Sequence, residues 1–178
     1  MKIEKIINDT FKDSFNLFKK EYVTFILGTL LAILLSVFVI TMPPLMFGVY
    51  LMASKLSKGK KIEITDVFKG FSYFFTSWGM FILAAIAITI GLVLLVIPGI
   101  ILMILFQYAI VIAIKENKGA ISALKKSYAV GKKHFVFSVA LWILLIILNG
   151  IAQATYVGVL LTIPFSALVL TTAASKLK

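Results

Sequence analysis

Residues 91–135 read GLVLLVIPGIILMILFQYAIVIAIKENKGAISALKKSYAVGKKHF. In order they hold the end of one apolar run, a Pro98-Gly99 turn signal, a second apolar run, and a lysine-rich amphipathic segment that leads into a third run. Pro removes a backbone N–H and Gly permits unusual backbone angles, so the pair punctuates an otherwise helical pattern. Outward from this stretch the same order recurs on both sides. The reading that follows is a membrane helix bundle.

Composition supports it. Of 178 residues, 61% are hydrophobic and 14% charged, and mean hydropathy is +1.08, against about 45–50% apolar and 25% charged in a soluble domain. Water would not tolerate so much apolar surface, which excludes a soluble enzyme or binding module and leaves a single integral membrane domain over 1–178. Cysteine is absent, so disulfides and thiolate metal sites are excluded. Charged Lys2, Glu4, Lys5, Asp9, Lys12 and Asp13 precede the first apolar run. That is not the order of a cleaved signal peptide, and the first helix is expected to stay in the mature protein.

Three neutral runs divide the chain, at 22–54, 70–114 and 135–175. A crossing helix needs about 20 residues, so the second and third suit two helices each. Met42-Pro43-Pro44, Pro98-Gly99 and Asn149-Gly150 supply turn signals inside the runs. The expectation is an all-α polytopic bundle of about six spans in three hairpins, at 22–41, 44–56, 77–96, 99–114, 135–149 and 155–174. The second of these, 13 residues or about 20 Å long, is the weak one.

Net charge is +11, carried by lysine with no arginine. In a soluble protein this would suggest nucleic acid. Here the lysines flank apolar spans, as cytoplasmic loops do, and the bidentate fork that suits phosphate backbones is missing. No nucleic-acid partner is expected. Residues 1–21, 55–69, 115–134 and 176–178 hold every charged side chain and the single histidine. The positive-inside tendency then places both termini in the cytoplasm and the protein in the cytoplasmic membrane.

Each hairpin is preceded by an amphipathic segment predicted to be an interfacial helix. Ile7, Phe11, Phe15, Phe18 and Tyr22 recur at helical spacing in the first. In the second, Thr65 or Asp66 can cap a helix whose apolar side is Val67, Phe68, Phe71, Phe74 and Phe75. In the third, Ile121, Leu124 and Tyr128 share a face with Ala120, Ala123, Ser127 and Gly131, opposite Lys118, Lys125, Lys126, Lys132 and Lys133. Those five lysines are the candidate contacts to anionic lipid headgroups. The segments align at offsets of 56 and 57 residues, matching Phe15 with Phe71 and Tyr128, Tyr22 with Trp78 and Phe135, and Ser14 with Gly70 and Ser127. Pseudo-repeats at 1–58, 59–118 and 119–178 are the reading.

The residues from LVIPG through KKHF resemble the hallmark of the membrane domain found in some glycerophosphoryl diester phosphodiesterases and in related six-span bacterial and archaeal proteins. Glu116, Gly119, Ala123 and Ser127 carry the likeness there, Gly48, Gly59, Asp66, Phe68 and Phe71 carry it in PPLMFGVYLMASKLSKGKKIEITDVFKGF, and Gly158 and Pro164 near the end. The resemblance implies the six-span fold. It does not imply the activity, because the catalytic domain of those enzymes has no counterpart in this chain.

Little else points to chemistry. His134 has no apparent orienting partner and no ligand companions, so neither a general base nor a metal site is expected. No nucleophile-elbow, zincin or phosphate-loop pattern occurs, and no cofactor is implied. The expected spans contain no ionisable residue, which argues against an ion-coupled pump. Gln107, Asn149 and Gln153 are the polar intramembrane candidates, as inter-helix hydrogen bonders or as the lining of a substrate path. Small residues at Ala84, Ala85, Ala87, Ser166, Ala167, Ala173 and Ala174 permit close helix packing, within one chain or against a second copy or another membrane protein. The sequence thus favours a non-enzymatic, lipid-interacting or scaffolding membrane protein, with a passive or facilitated transporter or lipid-handling protein as the alternative.

Overall fold

The computed structural model describes residues 3–177, save the side chains at positions 156 and 157. It is 89% helix, with no strand among the described residues. Eight helices follow one another: α1 (Ile3–Leu35), α2 (Met42–Ser57), α3 (Phe74–Leu94), α4 (Val96–Phe106), α5 (Ala109–Glu116), α6 (Ala120–Lys133), α7 (Phe135–Gln153) and α8 (Tyr156–Lys176). A 3₁₀ turn at Val39–Thr41 precedes α2, and a 3₁₀ segment at Ile64–Tyr73 precedes α3. Five segments among the described residues are long and apolar enough to cross a membrane: Val39–Ser57, Ile64–Leu94, Val96–Glu116, Phe135–Gln153 and Gly158–Lys176.

The first apolar run is where the expected spans fail. Non-helical angles at Glu21 (φ −139°, ψ 30°) break α1 where the charged segment meets the apolar one. Only 14 helical residues follow, about 21 Å. The weak member of the first pair is therefore the first helix rather than the second. In the earlier half of α1, Thr10 and Ser14 are fully buried while Phe15 is half exposed, as is Tyr22 just past the break. Small hydroxyl residues let α1 approach α8 closely: Ser14 Oγ donates to Thr172 Oγ1 at 3.2 Å, with Phe11 and Phe18 set around Phe165.

Turn positions also differ from the punctuation. Pro43, Pro44 and Pro98 lie inside the first turns of α2 and α4, where a missing N–H costs nothing, and the chain reverses just before them, at 36–41 and at Leu95. Asn149 and Gly150 do not end α7, which runs to Gln153; the Asn149 amide is occupied by Leu145 O at 2.7 Å and Ser166 Oγ at 3.1 Å.

The segment Ile64–Tyr73 is capped by Glu63, with Asp66 at the third position accepting from the Glu63 N–H. It packs along α2 on one side, while Phe68, Phe71 and Phe75 of the expected apolar side stay exposed. Val67, Asp66 and Gly70 are buried against α2. Glycine is required on both sides of this contact: a Cβ at Gly48 would sit 1.8 Å from Val67 O, and one at Gly70 would sit 1.9 Å from Pro44 O. The Asp66 carboxylate, fully buried, is held by Lys55 at 2.6 Å and Lys69 at 2.5 Å.

One hydrogen bond departs from three parallel hairpins. The Trp78 indole N–H donates to Ile40 O at 3.0 Å. Full hairpins would place Ile40 and the foot of α3 on opposite sides of a hydrocarbon core about 30 Å thick, far beyond the reach of an indole. The turn after α1 and the start of α3 therefore share a level, and the Phe47–Tyr73 ring contact at 5.8 Å agrees. The charged ends do gather. Lys176 pairs with Asp13 at 2.7 Å, Lys115 at the end of α5 donates to Thr171 O at 2.8 Å and to Ser175 near the end of α8, and a Cβ at Gly79 would lie 3.3 Å from that of Ala120. Large exposed apolar residues concentrate elsewhere, at the α3–α4 turn (Val93, Leu94, Leu95, Val96, Ile97), around Val37–Ile40, and along α7.

Gly48→Ala or Gly70→Ala should prise the 3₁₀ segment from α2 and lower stability by roughly 1–3 kcal/mol or more. Gly150→Ala, with nothing within 4 Å of its Cβ position, should be neutral or slightly stabilising. Thermal unfolding in detergent would check the contrast.

Candidate functional site

The site grows out of an interruption between α4 and α5 at Gln107 and Tyr108. A helix that stops leaves carbonyls without intrahelical partners, and in a membrane each unpaired group costs several kcal/mol. Neighbouring side chains supply the partners. Gln107 Nε2 donates to Ile104 O at 2.9 Å and to Ser138 O at 3.0 Å, Ser127 Oγ donates to Leu105 O at 2.7 Å, and the Tyr108 and Ser138 hydroxyls lie 3.1 Å apart. Because both partners of Gln107 are carbonyls, its amide orientation is settled. Its Oε1 is buried without a partner.

Helix α6 packs on this interruption. Asn117 takes the left-handed conformation (φ 48°, ψ 48°) that ends α5, and Gly119 begins α6. Ala123, Leu124, Ser127 and Gly131 are its buried residues, and a Cβ on Gly131 would stand 3.1 Å from Leu105 Cα. These four form a narrow stripe buried within the protein. Ile121 and Tyr128, expected with Leu124 on the membrane-facing side, are 58% and 42% exposed and border a groove with Lys125. Small residues can reach the α4 backbone where an isoleucine or tyrosine cannot, so they take the inner face.

The five lysines consequently fall into different surroundings. Lys126 pairs with Glu116 at 2.6 Å and Lys118 with the same carboxylate at 3.4 Å. Lys126 and Lys133 join Lys115 and Glu116 around a pocket of about 460 Å³ between α5, α6 and the end of α8. Lys125 lies on the other flank, and Lys132 is exposed. Three lysines against one carboxylate leave that pocket with a formal surplus of two positive charges, suited to an anion.

Gln107, Asn149 and Gln153 are not brought together. Gln107 serves the interruption, Asn149 ties α7 to α8, and Gln153 is exposed beside the α7–α8 turn. Sequence reasoning missed a cleft of about 580 Å³ between α2, α3, α4 and α5, whose lining includes Gln107, Trp142 and the four methionines 42, 46, 80 and 103. Nothing in their irregular spacing announced it. His134 has a buried Nε2 without a partner, and no group of three metal-ligating residues occurs among the described residues.

An all-helical chain with five segments able to cross a bilayer defines a membrane protein. The chain belongs to the family described as a domain of unknown function (DUF7847), whose model matches residues 9–177. Comparison with curated proteins and with solved structures found no match.

Gly131→Val should push α6 off Leu105 and expose it to limited proteolysis, while Ser127→Ala should cost about 1 kcal/mol through the lost hydrogen bond. Cleavage within 119–133 of reconstituted protein measures both.

Proposed function

We propose that this is a non-enzymatic protein of the cytoplasmic membrane that holds anionic phospholipid at its lysine-rich end. The observation that carries the reading is α6. It has four lysines and no acid of its own, and its small residues are committed to the α4 interruption, so the lysines remain at the surface with Glu116 as their partner carboxylate. Each lysine near an anionic surface contributes about 1 kcal/mol, screened by salt. Ile121 and Tyr128 beside Lys125 suit the headgroup boundary.

In this reading α3, α4 with α5, α7 and α8 cross the bilayer as two hairpins. The later half of α1 and α2 form a third pair whose turn stays near the foot of α3. An even number of crossings keeps both termini in the cytoplasm, in accord with the Asp13–Lys176 pair. Motif likeness to the membrane domain of glycerophosphoryl diester phosphodiesterases is compatible with a lipid role and carries no catalysis. A facilitated transporter with a polar path past Gln107, Asn149 and Gln153 has less support, since Gln107 and Asn149 are each engaged locally and Gln153 sits at a turn.

Full-length protein in nanodiscs of mixed phosphatidylcholine and phosphatidylglycerol should retain phosphatidylglycerol preferentially on extraction, as read by native mass spectrometry. High salt or Lys→Gln at 125, 126, 132 and 133 should remove most of that preference, and Glu116→Gln should strengthen it. Equal retention of both lipids overturns the reading. Purified protein should also hydrolyse glycerophosphodiesters no faster than buffer; turnover abolished by His134→Ala would make it an enzyme.

A further inference from the structure

The methionine-lined cleft between α2, α3, α4 and α5 is separate from the lysine pocket and meets the interruption only at Gln107 and its neighbours. Its walls are apolar apart from Gln107 and Ser77, whose hydroxyl is spent on Phe74 O at 2.9 Å. At about 580 Å³ it falls within the roughly 300–1,000 Å³ typical of small-molecule sites. Along α3 its lining runs from Ser77 to Ile88, about 16 Å, so it is an elongated slot. Four of the protein's six methionines line it. Methionine is unbranched and adaptable, and suits a ligand with many conformers better than one of fixed shape.

A second groove of about 480 Å³ shares Phe106 and Leu124 with the slot, so the two adjoin at those side chains. Among all residues lining the pair, Lys125 is the single ionised one. Lys118 and Lys126 share the Glu116 carboxylate, whereas Lys125 has no acid partner among the described residues. An elongated apolar slot that adjoins a groove bearing one lysine without an acid partner is complementary to a long-chain anion.

We propose that the slot is a binding site for one hydrocarbon chain of an anionic amphiphile, with its carboxylate or phosphate at Lys125. The assignment rests on the lipid reading above and adds to the charged surface a separate place for a single chain. The tail lies among Met46, Met80 and Met103, and the head meets Lys125 beside Tyr128.

The test uses the full chain in phosphatidylcholine nanodiscs with photoreactive hexadecanoic acid, its methyl ester, and octanoic acid as probes. Hexadecanoate should bind at least ten-fold tighter than octanoate, and its cross-links should map to α3 and α4 facing the slot. Lys125→Gln should weaken hexadecanoate about five-fold and leave the ester unchanged. Ala85→Trp, at an exposed wall position, should fill the slot and weaken acid and ester alike by ten-fold or more, with phosphatidylglycerol preference intact. Cross-links spread evenly over the apolar surface, or hexadecanoate binding indifferent to Ala85→Trp, overturn the slot while leaving the headgroup reading in place. Carboxylate and phosphate heads are separated by repeating the comparison with a lysophosphatidic acid probe, and loss of both at Lys125→Gln supports the shared anion site.

Discussion

The interruption between α4 and α5 is the constraint on which the rest of the lysine-rich end depends. A continuous helix over 96–116 would need nothing from its neighbours. Once it stops at Gln107, the carbonyls of Ile104 and Leu105 call for donors in a medium that offers no water. Gln107 answers one and simultaneously grips α7 through Ser138 O; Ser127 answers the other and so fixes α6 against α4. Close approach of α6 then requires Gly131 and Ala123 at the contact, and that close approach turns the lysines outward. The side of α5 that faces away from α6's lysines is left as a wall of the methionine slot. Helix packing, charge display and cavity thus follow from one unpaired stretch of backbone.

Much of this was legible and some was not, for reasons that can be named. Lysine segregation located the charged end, because desolvating a charge is so costly that its placement is nearly a topological statement. The bounds of α6 followed from Gly119 at its start and the Lys132-Lys133-His134 run at its end. The turns were misplaced because Pro and Asn-Gly are ambiguous in a membrane. Proline marks the first turn of a helix as readily as a reversal, and Asn149 found acceptors inside its own hairpin instead of ending the helix. The interruption at Gln107 had no local marker at all. The groups that satisfy it are tertiary, in Ser127 and Ser138, which lie 20 and 31 positions downstream.

The aligned amphipathic segments illustrate how one pattern can take three structures. Ser14, Gly70 and Ser127 are each buried, and Phe15, Phe71 and Tyr128 are each substantially exposed, which is the environment a repeat would preserve. Yet the first segment continues into α1, the second is a 3₁₀ segment against α2, and the third is a separate helix packed on α4. Backbone contact explains the second case. With Gly48 opposite Gly70 and the Asp66 carboxylate fixed between Lys55 and Lys69, the chain gains hydrogen bonds and packing by lying along α2 in the tighter 3₁₀ form.

The same accounting of carboxylates explains why α6 stands apart electrostatically. Asp66 engages Lys55 and Lys69, Asp13 engages Lys176, and Glu116 engages Lys118 and Lys126. Asp13–Lys176 joins the two ends of the chain, and Lys55–Asp66 and Lys126–Glu116 join neighbouring elements, so these acids serve the fold. What they leave on α6 is a positive field not cancelled within the helix, at the end of the molecule where the apolar surface gives way to charge. An ion pair between exposed groups would be worth little there. On the proposed lipid reading, a surface of opposite sign that offers many phosphates at once would be the partner against which that residual charge has its largest effect.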